Sequence, residues 1–264
     1  DELRAVMYPS GCADHNVVNA AESESFLAGP LAKSGEVMPA SCSLGVAIQP
    51  PKDVRDFVSQ HWIQGIPYQA AAQYTEADAR LLLEWLVNEP EKHEEFLPEI
   101  VTTLCFIGSD IAAQPLIDFV HSAPARRAVF HAKNAVLIHL GDLINKSGSQ
   151  AAFDFLAGVA ADAQKAKNLA IPRSAIAAAE AAVAGVVAPT LEALAGELAV
   201  SATFGLALAG TPQAEQAITG LMDDANVLPA VKRAAAEAVV LARTVRAKGQ
   251  AGYYKMKCEG GQQT

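Results

Sequence analysis

The sequence predicts an all-α chain, and three observations carry that expectation. Aromatic residues make up 6% of the 264 residues while alanine alone supplies 53, a balance that suits close-packed helices rather than pleated sheets. From Tyr74 onward apolar residues recur at intervals of three and four, with short polar connections between the runs, as amphipathic helices with antiparallel neighbours do. Small turns holding Gly108, Gly148, Gly210 and Gly249 each close a longer run before a new stretch begins, the place where a helix-ending glycine is expected. At 51% apolar residues the chain is long enough to bury a sizeable core, which excludes disorder for its bulk.

Taken in order, residues 1–66 carry Pro9, Pro30, Pro39, Pro50 and Pro51 with Gly11, Gly29, Gly35 and Gly45, and show no sustained apolar period. They are expected to form an irregular N-terminal arm, packed on the body through Phe26, Phe57 and Trp62. Within it, residues 51–60 predict a short helix with Val54, Phe57 and Val58 on one face. Residues 67–250 form the expected helical domain. Thr75, with Asp78 three residues on, predicts a capped start to a helix whose Leu82, Trp85 and Leu86 face inward. Runs follow at 96–108, 110–122, 125–148, 149–167, 173–187, 190–210, 212–224 and 228–249, giving about nine helices in this domain. Residues 251–264 read as a C-terminal tail. The stretch nearest to a membrane span, Leu198 to Ala214, is interrupted by Gly205, Gly210 and Pro212 and falls short of the roughly 18–20 apolar residues a span needs. A soluble chain without a transmembrane segment is therefore expected. No initiator Met and no charged-then-apolar leader opens the sequence, as in a mature form from which a targeting segment has been removed.

The intervals between the turn glycines are 40, 62 and 39 residues. Two of them match the roughly 40–47 residues of a two-helix repeat unit, and the third equals one unit plus about 22 residues, an insertion placed between about Lys165 and Val187. The segment Val231-Lys232-Arg233-Ala234-Ala235-Ala236-Glu237-Ala238-Val239, after Asp223-Asp224 and Pro229, resembles the second helix of a HEAT repeat. Arg126-Arg127-Ala128 leading to Ala135 and Leu140-Gly141 is a looser version. The resemblance to HEAT-like, armadillo-type helical repeat proteins implies an α-α superhelix, a HEAT-like solenoid of about four units with a long concave face. It implies a non-catalytic module for protein–protein interaction. It also admits an enzyme on the same scaffold, such as a phycobilin-lyase-like protein or a metal-dependent hydroxylase, and a DNA-glycosylase-like protein.

Charge and cysteine usage narrow these classes. A net charge of -9 repels a phosphate backbone, so nucleic acid is a poor partner and another protein the expected one. Cys12 and Cys42 flank a Gly/Pro/Ser-rich loop where a disulfide would constrain the chain, which places the protein outside the cytoplasm, periplasmic or secreted. The alternative is a cytoplasmic protein with four free thiols. Cys105, inside an apolar run, is expected as a core thiol, and no Cys-x-x-Cys pair suggests a zinc ribbon or redox site.

Candidate sites are few. His131, Ala135 and His139 share one helix face with Asp142 beyond, but the imidazoles lie about 12 Å apart by helical rise, too far to share one metal unaided. HEAT-like deoxyhypusine hydroxylases bind iron through several His-Glu pairs, whereas His93-Glu94 stands alone here, in an acidic turn spanning residues 89–99. Asp14-His15-Asn16 reads as a polar turn, and Asn145-Lys146-Ser147 fits an N-glycosylation sequon. Gly-x-Ser-x-Gly, His-Glu-x-x-His, the phosphate-cradling glycine loop and the calcium loop are all missing. No catalytic, cofactor-binding or metal-binding residue is assigned, and no cofactor is expected. Lys232, Arg233, Arg243, Arg246 and Lys248, continued by Lys255 and Lys257 beside Tyr253 and Tyr254, form a basic strip that caps the last helix or grips an acidic partner, RNA or an anionic membrane surface. If Cys12 and Cys42 are bonded, thiol titration of the unfolded chain will count two free thiols before reduction and four after it; four before reduction would remove the bond and the case for export.

Overall fold

The computed structural model describes residues 49–60, 62, 65–124 and 126–260, which hold eleven α-helices and no strand. The expected Cys12–Cys42 bond, the Asp14-His15-Asn16 turn and most of the expected arm lie outside the described residues. The helices are α1 (Val54–Val58), α2 (Tyr68–Ala71), α3 (Glu76–Asn88), α4 (Leu97–Ile107), α5 (Ala113–Ser122), α6 (Arg127–Ser147), α7 (Gln150–Ala161), α8 (Ala163–Ala184), α9 (Leu191–Ala209), α10 (Pro212–Asp223) and α11 (Pro229–Gly260). Local signals set many of these bounds. Asp53 caps α1, and Val54, Phe57 and Val58 are buried as its spacing requires. The Thr75–Asp78 capping box starts α3, while Gly108, Gly148 and Gly210 end α4, α6 and α9 in left-handed backbone.

The helices pack in two rows. In one, α4, α6, α9 and α11 lie each against the next; in the other, α3, α5, α7 and α10 do the same, and each short helix also touches its longer neighbour. A continuous core runs from Val54 in α1 to Ala242 in α11, and Ile138, Leu208, Val245 and Tyr253 form a second, smaller cluster. At its middle α6 and α9 cross where Gly141 meets Gly205. A Cβ on Gly141 would fall on the Gly205 carbonyl oxygen, and a Cβ on Gly205 on the Leu137 carbonyl oxygen. The two backbones therefore touch, and only glycine at both positions allows it.

Four sequence expectations need correction. The apolar run around Gly205 does form one unbroken helix, α9, long and apolar enough to cross a membrane by length and composition, but 78% of that stretch is buried inside the protein. Gly205 does not interrupt it because the helix is held on several sides by α6, α7, α8, α10 and α11. The expected helix at 149–167 is instead two, divided at Asp162, whose side chain accepts from the Gln164 and Lys165 amides and starts α8. The segment taken to begin afresh at Arg173 is the second half of that same α8, which passes through Pro172. The residues beyond Gly249 do not trail away either: the chain turns there (φ 68°, ψ 164°) and continues helically to Gly260, with Gln250 and Tyr253 buried.

Gly205→Ala is expected to destabilise the fold by about 3 kcal/mol in urea unfolding, since overpacking at a backbone contact outweighs the roughly 1 kcal/mol that alanine gains over glycine within a helix. Gly220→Ala, where nothing lies within 4 Å of the added Cβ, should instead stabilise by about 0.5–1 kcal/mol.

Candidate functional site

The densest polar constellation forms where the end of α11 crosses α6. His139 and Asp142 sit three apart on α6, so both project to one side of that helix, and the turn at Gly249 brings Gln250 and Tyr254 over them. Asp142 is fully buried, at 0% exposure, and His139 is 3% exposed. The His139 Nδ1 lies 2.9 Å from Asp142 Oδ2. The Gln250 amide donates to Asp142 Oδ1 at 2.6 Å, and the Tyr254 hydroxyl donates to Oδ2 at 2.9 Å. The Gln250 carbonyl in turn accepts from the Tyr68 hydroxyl at 3.0 Å. Tyr68 belongs to α2, so this chain of bonds joins the first helices of the body to the last.

Aromatic rings close the cluster. Tyr68 and Tyr254 stack with centroids 4.8 Å apart, and Phe106 meets both edge-on and also meets His139. Lys146 donates to the Phe106 carbonyl and holds its ammonium 5.2 Å from the Tyr68 ring centroid. Burial outweighs the donors on Asp142, so its carboxyl sits above the usual carboxylate range. Burial first, and the neighbouring Asp142 second, push the Tyr254 hydroxyl and the Cys105 thiol up and raise Tyr68 to about 12. Burial draws the Lys146 ammonium down.

A second polar cluster lies nearer the start of α6. Asn134 donates to Glu197 of α9 at 2.6 Å and accepts from the Ser201 hydroxyl at 3.1 Å, and burial raises the Glu197 carboxyl. Arg173 of α8 is buried with Nη2 on Glu180 at 2.8 Å and no partner for Nη1.

The residues singled out in the sequence are dispersed. His139 enters the buried cluster while His131 stays exposed on the same helix. His93 stacks on Trp85 with centroids 3.7 Å apart, and in the acidic turn Glu91 and Glu94 both pair with Arg126. Among the described residues no group of three or more His, Cys, Asp or Glu is placed to hold a metal. Asn145 lies within α6, and its amide nitrogen donates to the Ala209 carbonyl at 2.8 Å, which engages the sequon's acceptor nitrogen. Cys105 is a buried free thiol. Of the basic strip, Arg243 and Arg246 both clamp Glu215 of α10, leaving Lys232, Arg233 and Lys248 as its outward part. Sequence reasoning missed Gln250 and placed Tyr254 on a surface; the signal available was a helical run of aromatics immediately after a turn glycine. Comparison with protein-family models, with curated proteins and with solved structures finds no match for this chain.

Because the folded pKa of Asp142 is raised, its contribution to stability is present below the ordinary carboxylate pKa of about 3.9 and is lost as pH climbs through the folded value. The stability of the wild type relative to Asp142→Asn should therefore fall as pH rises from about 3 toward neutrality, read from urea midpoints; a difference that stays flat would deny the carboxyl this role. Tyr254→Phe, which removes one donor from a buried acid, should cost about 1.5–3 kcal/mol.

Proposed function

We propose that this chain is a non-catalytic interaction module of HEAT-like architecture that holds another protein, working outside the cytoplasm if Cys12 and Cys42 are bonded. In this reading α3–α4, α5–α6, α7 with α9, and α10–α11 are four stacked hairpins, and α8 is the inserted helix. The observation that carries the proposal is the sealing of the His139–Asp142 pair. Both its residues are almost wholly out of water, and both Asp142 oxygens accept from side chains of the same protein. Acid–base chemistry needs a group that can reach a substrate; this pair instead ties α11 to α6. The two rows of helices leave broad outer faces, and rows of side chains on such faces suit shape and charge complementarity with a protein. The acidic turn at 89–99 and the outward Lys232, Arg233 and Lys248 are the charged features offered to it.

Purification of the full chain from its native host is expected to recover one protein in fixed ratio, with no stoichiometric metal and no visible absorbance. Charge reversal in Arg233→Glu combined with Lys248→Glu is expected to weaken that complex about tenfold, near 1.4 kcal/mol. Bound pigment or metal in a one-to-one ratio would overturn the proposal in favour of an enzyme.

A further inference from the structure

Arg173 stands on the inward stripe of α8, where every other buried residue is alanine or leucine and the small Ala170 and Ala177 flank it at helical spacing, which leaves room for a long side chain. That side chain is only 10% exposed, yet part of its fork is unused. Nη2 holds Glu180 Oε2 at 2.8 Å, while Nη1, out of water, makes no hydrogen bond within the protein. A guanidinium presents its donors as a rigid planar edge matched to two oxygens of one acceptor. A buried donor left open is costly, and native proteins seldom keep one that nothing engages.

The charges around Arg173 come from three helices. On α6, Arg127 and His131 are one turn apart and exposed. Partial burial first, and then the charges of Arg127 and Arg173, hold the His131 imidazole below its usual value. The Arg173 hydrogen bond, with the charges of Arg173 and Arg127 behind it, holds the Glu180 carboxyl below the usual range. Two guanidiniums and an imidazole therefore surround one spot. Helix α6 starts at Arg127 with no side-chain cap, so its positive end adds to the same field. Two carboxyls oppose them. Glu197 of α9 is engaged by the Asn134 amide at 2.6 Å, whereas Glu180 is half-exposed and can swing into water without disturbing the packing.

We propose that Arg173, Arg127 and His131 bind a phosphoryl group, as free phosphate or a small phosphate monoester, which displaces Glu180 and takes the Arg173 edge through two oxygens. Charge selects this ligand. A carboxylate would only exchange one single negative charge for another, whereas a phosphate monoester carries nearly two at neutral pH and offers three acceptor oxygens. Phosphodiesters carry one charge each, and the net charge of -9 repels a polymer of them. Few contacts hold so small a ligand, so its dissociation constant is on the order of 0.1–1 mM. The site concerns a small molecule and does not rest on the partner proposed above.

Calorimetric titration of the full chain with inorganic phosphate at about pH 7.5, above the second phosphate pKa, should show saturable one-to-one binding. Glycerol 2-phosphate titrated in parallel distinguishes free phosphate from a monoester by which of the two binds tighter, and acetate should bind at least about tenfold more weakly than either. Glu180→Gln, which removes the competing carboxylate, should tighten phosphate binding about threefold to tenfold, a gain that misfolding cannot mimic. Arg127→Gln should weaken it by a similar factor, and Arg173→Lys, which keeps the charge but loses the planar edge, should abolish it. If circular dichroism shows that Arg173→Lys does not fold, the Glu180→Gln and Arg127→Gln variants decide. In proton NMR, saturating phosphate should raise the pKa of the His131 imidazole. Absence of saturable binding, acetate binding as tight as phosphate, or a phosphate affinity that Glu180→Gln does not raise overturns the proposal.

Discussion

The body of this protein is organised by the contact between two helix backbones at Gly141 and Gly205. Because no side chain separates them there, α6 and α9 lie closer than helices crossing through leucines, and each is buried on nearly every side. Everything else is arranged around that pair. Helix α4 covers one flank of α6, α11 covers a flank of α9, and α7 bridges both. Alanine serves the same end in the neighbouring positions: with Ala195, Ala199, Ala202, Ala207 and Ala209 buried along α9, the helices around it keep short separations. The high alanine content is thus a packing requirement and not merely a helix preference.

Such close packing leaves little room for polar groups, and the largest buried cluster of them is closely matched. Asp142 is the clearest case. A carboxyl with no exposure would be costly if unpaired, yet three side chains from two helices converge on its two oxygens. The Gln250 side chain is held in one orientation, its carbonyl on Tyr68 and its amide on Asp142. This gives the terminal part of α11 a specific seat, which general hydrophobic contact could not supply, and it explains why a chain with so few aromatic residues gathers Tyr68, Phe106 and Tyr254 at one place.

How much of this was legible in the sequence follows the range of the interactions. Local chemistry was readable: the Thr75–Asp78 cap, the buried triplet Val54, Phe57 and Val58, and the glycines that end α4, α6 and α9 all act within a few residues of themselves. The break at Asp162 was also local but was hidden by an apolar period that runs on across it. Long-range partnership was not readable. His139 and Asp142 stood out by spacing, but the residues that complete the cluster lie 108 and 112 positions away, and a run of tyrosines beside lysines looks the same whether it faces water or the core. Pro172 within α8 misled because tertiary contacts override the penalty it carries in an isolated helix, whereas the helix over 190–210 was expected across Gly205 and forms there.

The seat of Tyr254 has a consequence for how the protein is made. Synthesis proceeds from the N-terminus, and domains assemble as their residues emerge; here a bond network anchored on Tyr68 and Asp142 stays open until nearly the last described helix has left the ribosome. A nascent chain interrupted before that point leaves Asp142 and the Tyr68 ring without the Gln250 and Tyr254 side chains that cover them, an exposed surface of the kind that incomplete folds present to chaperones.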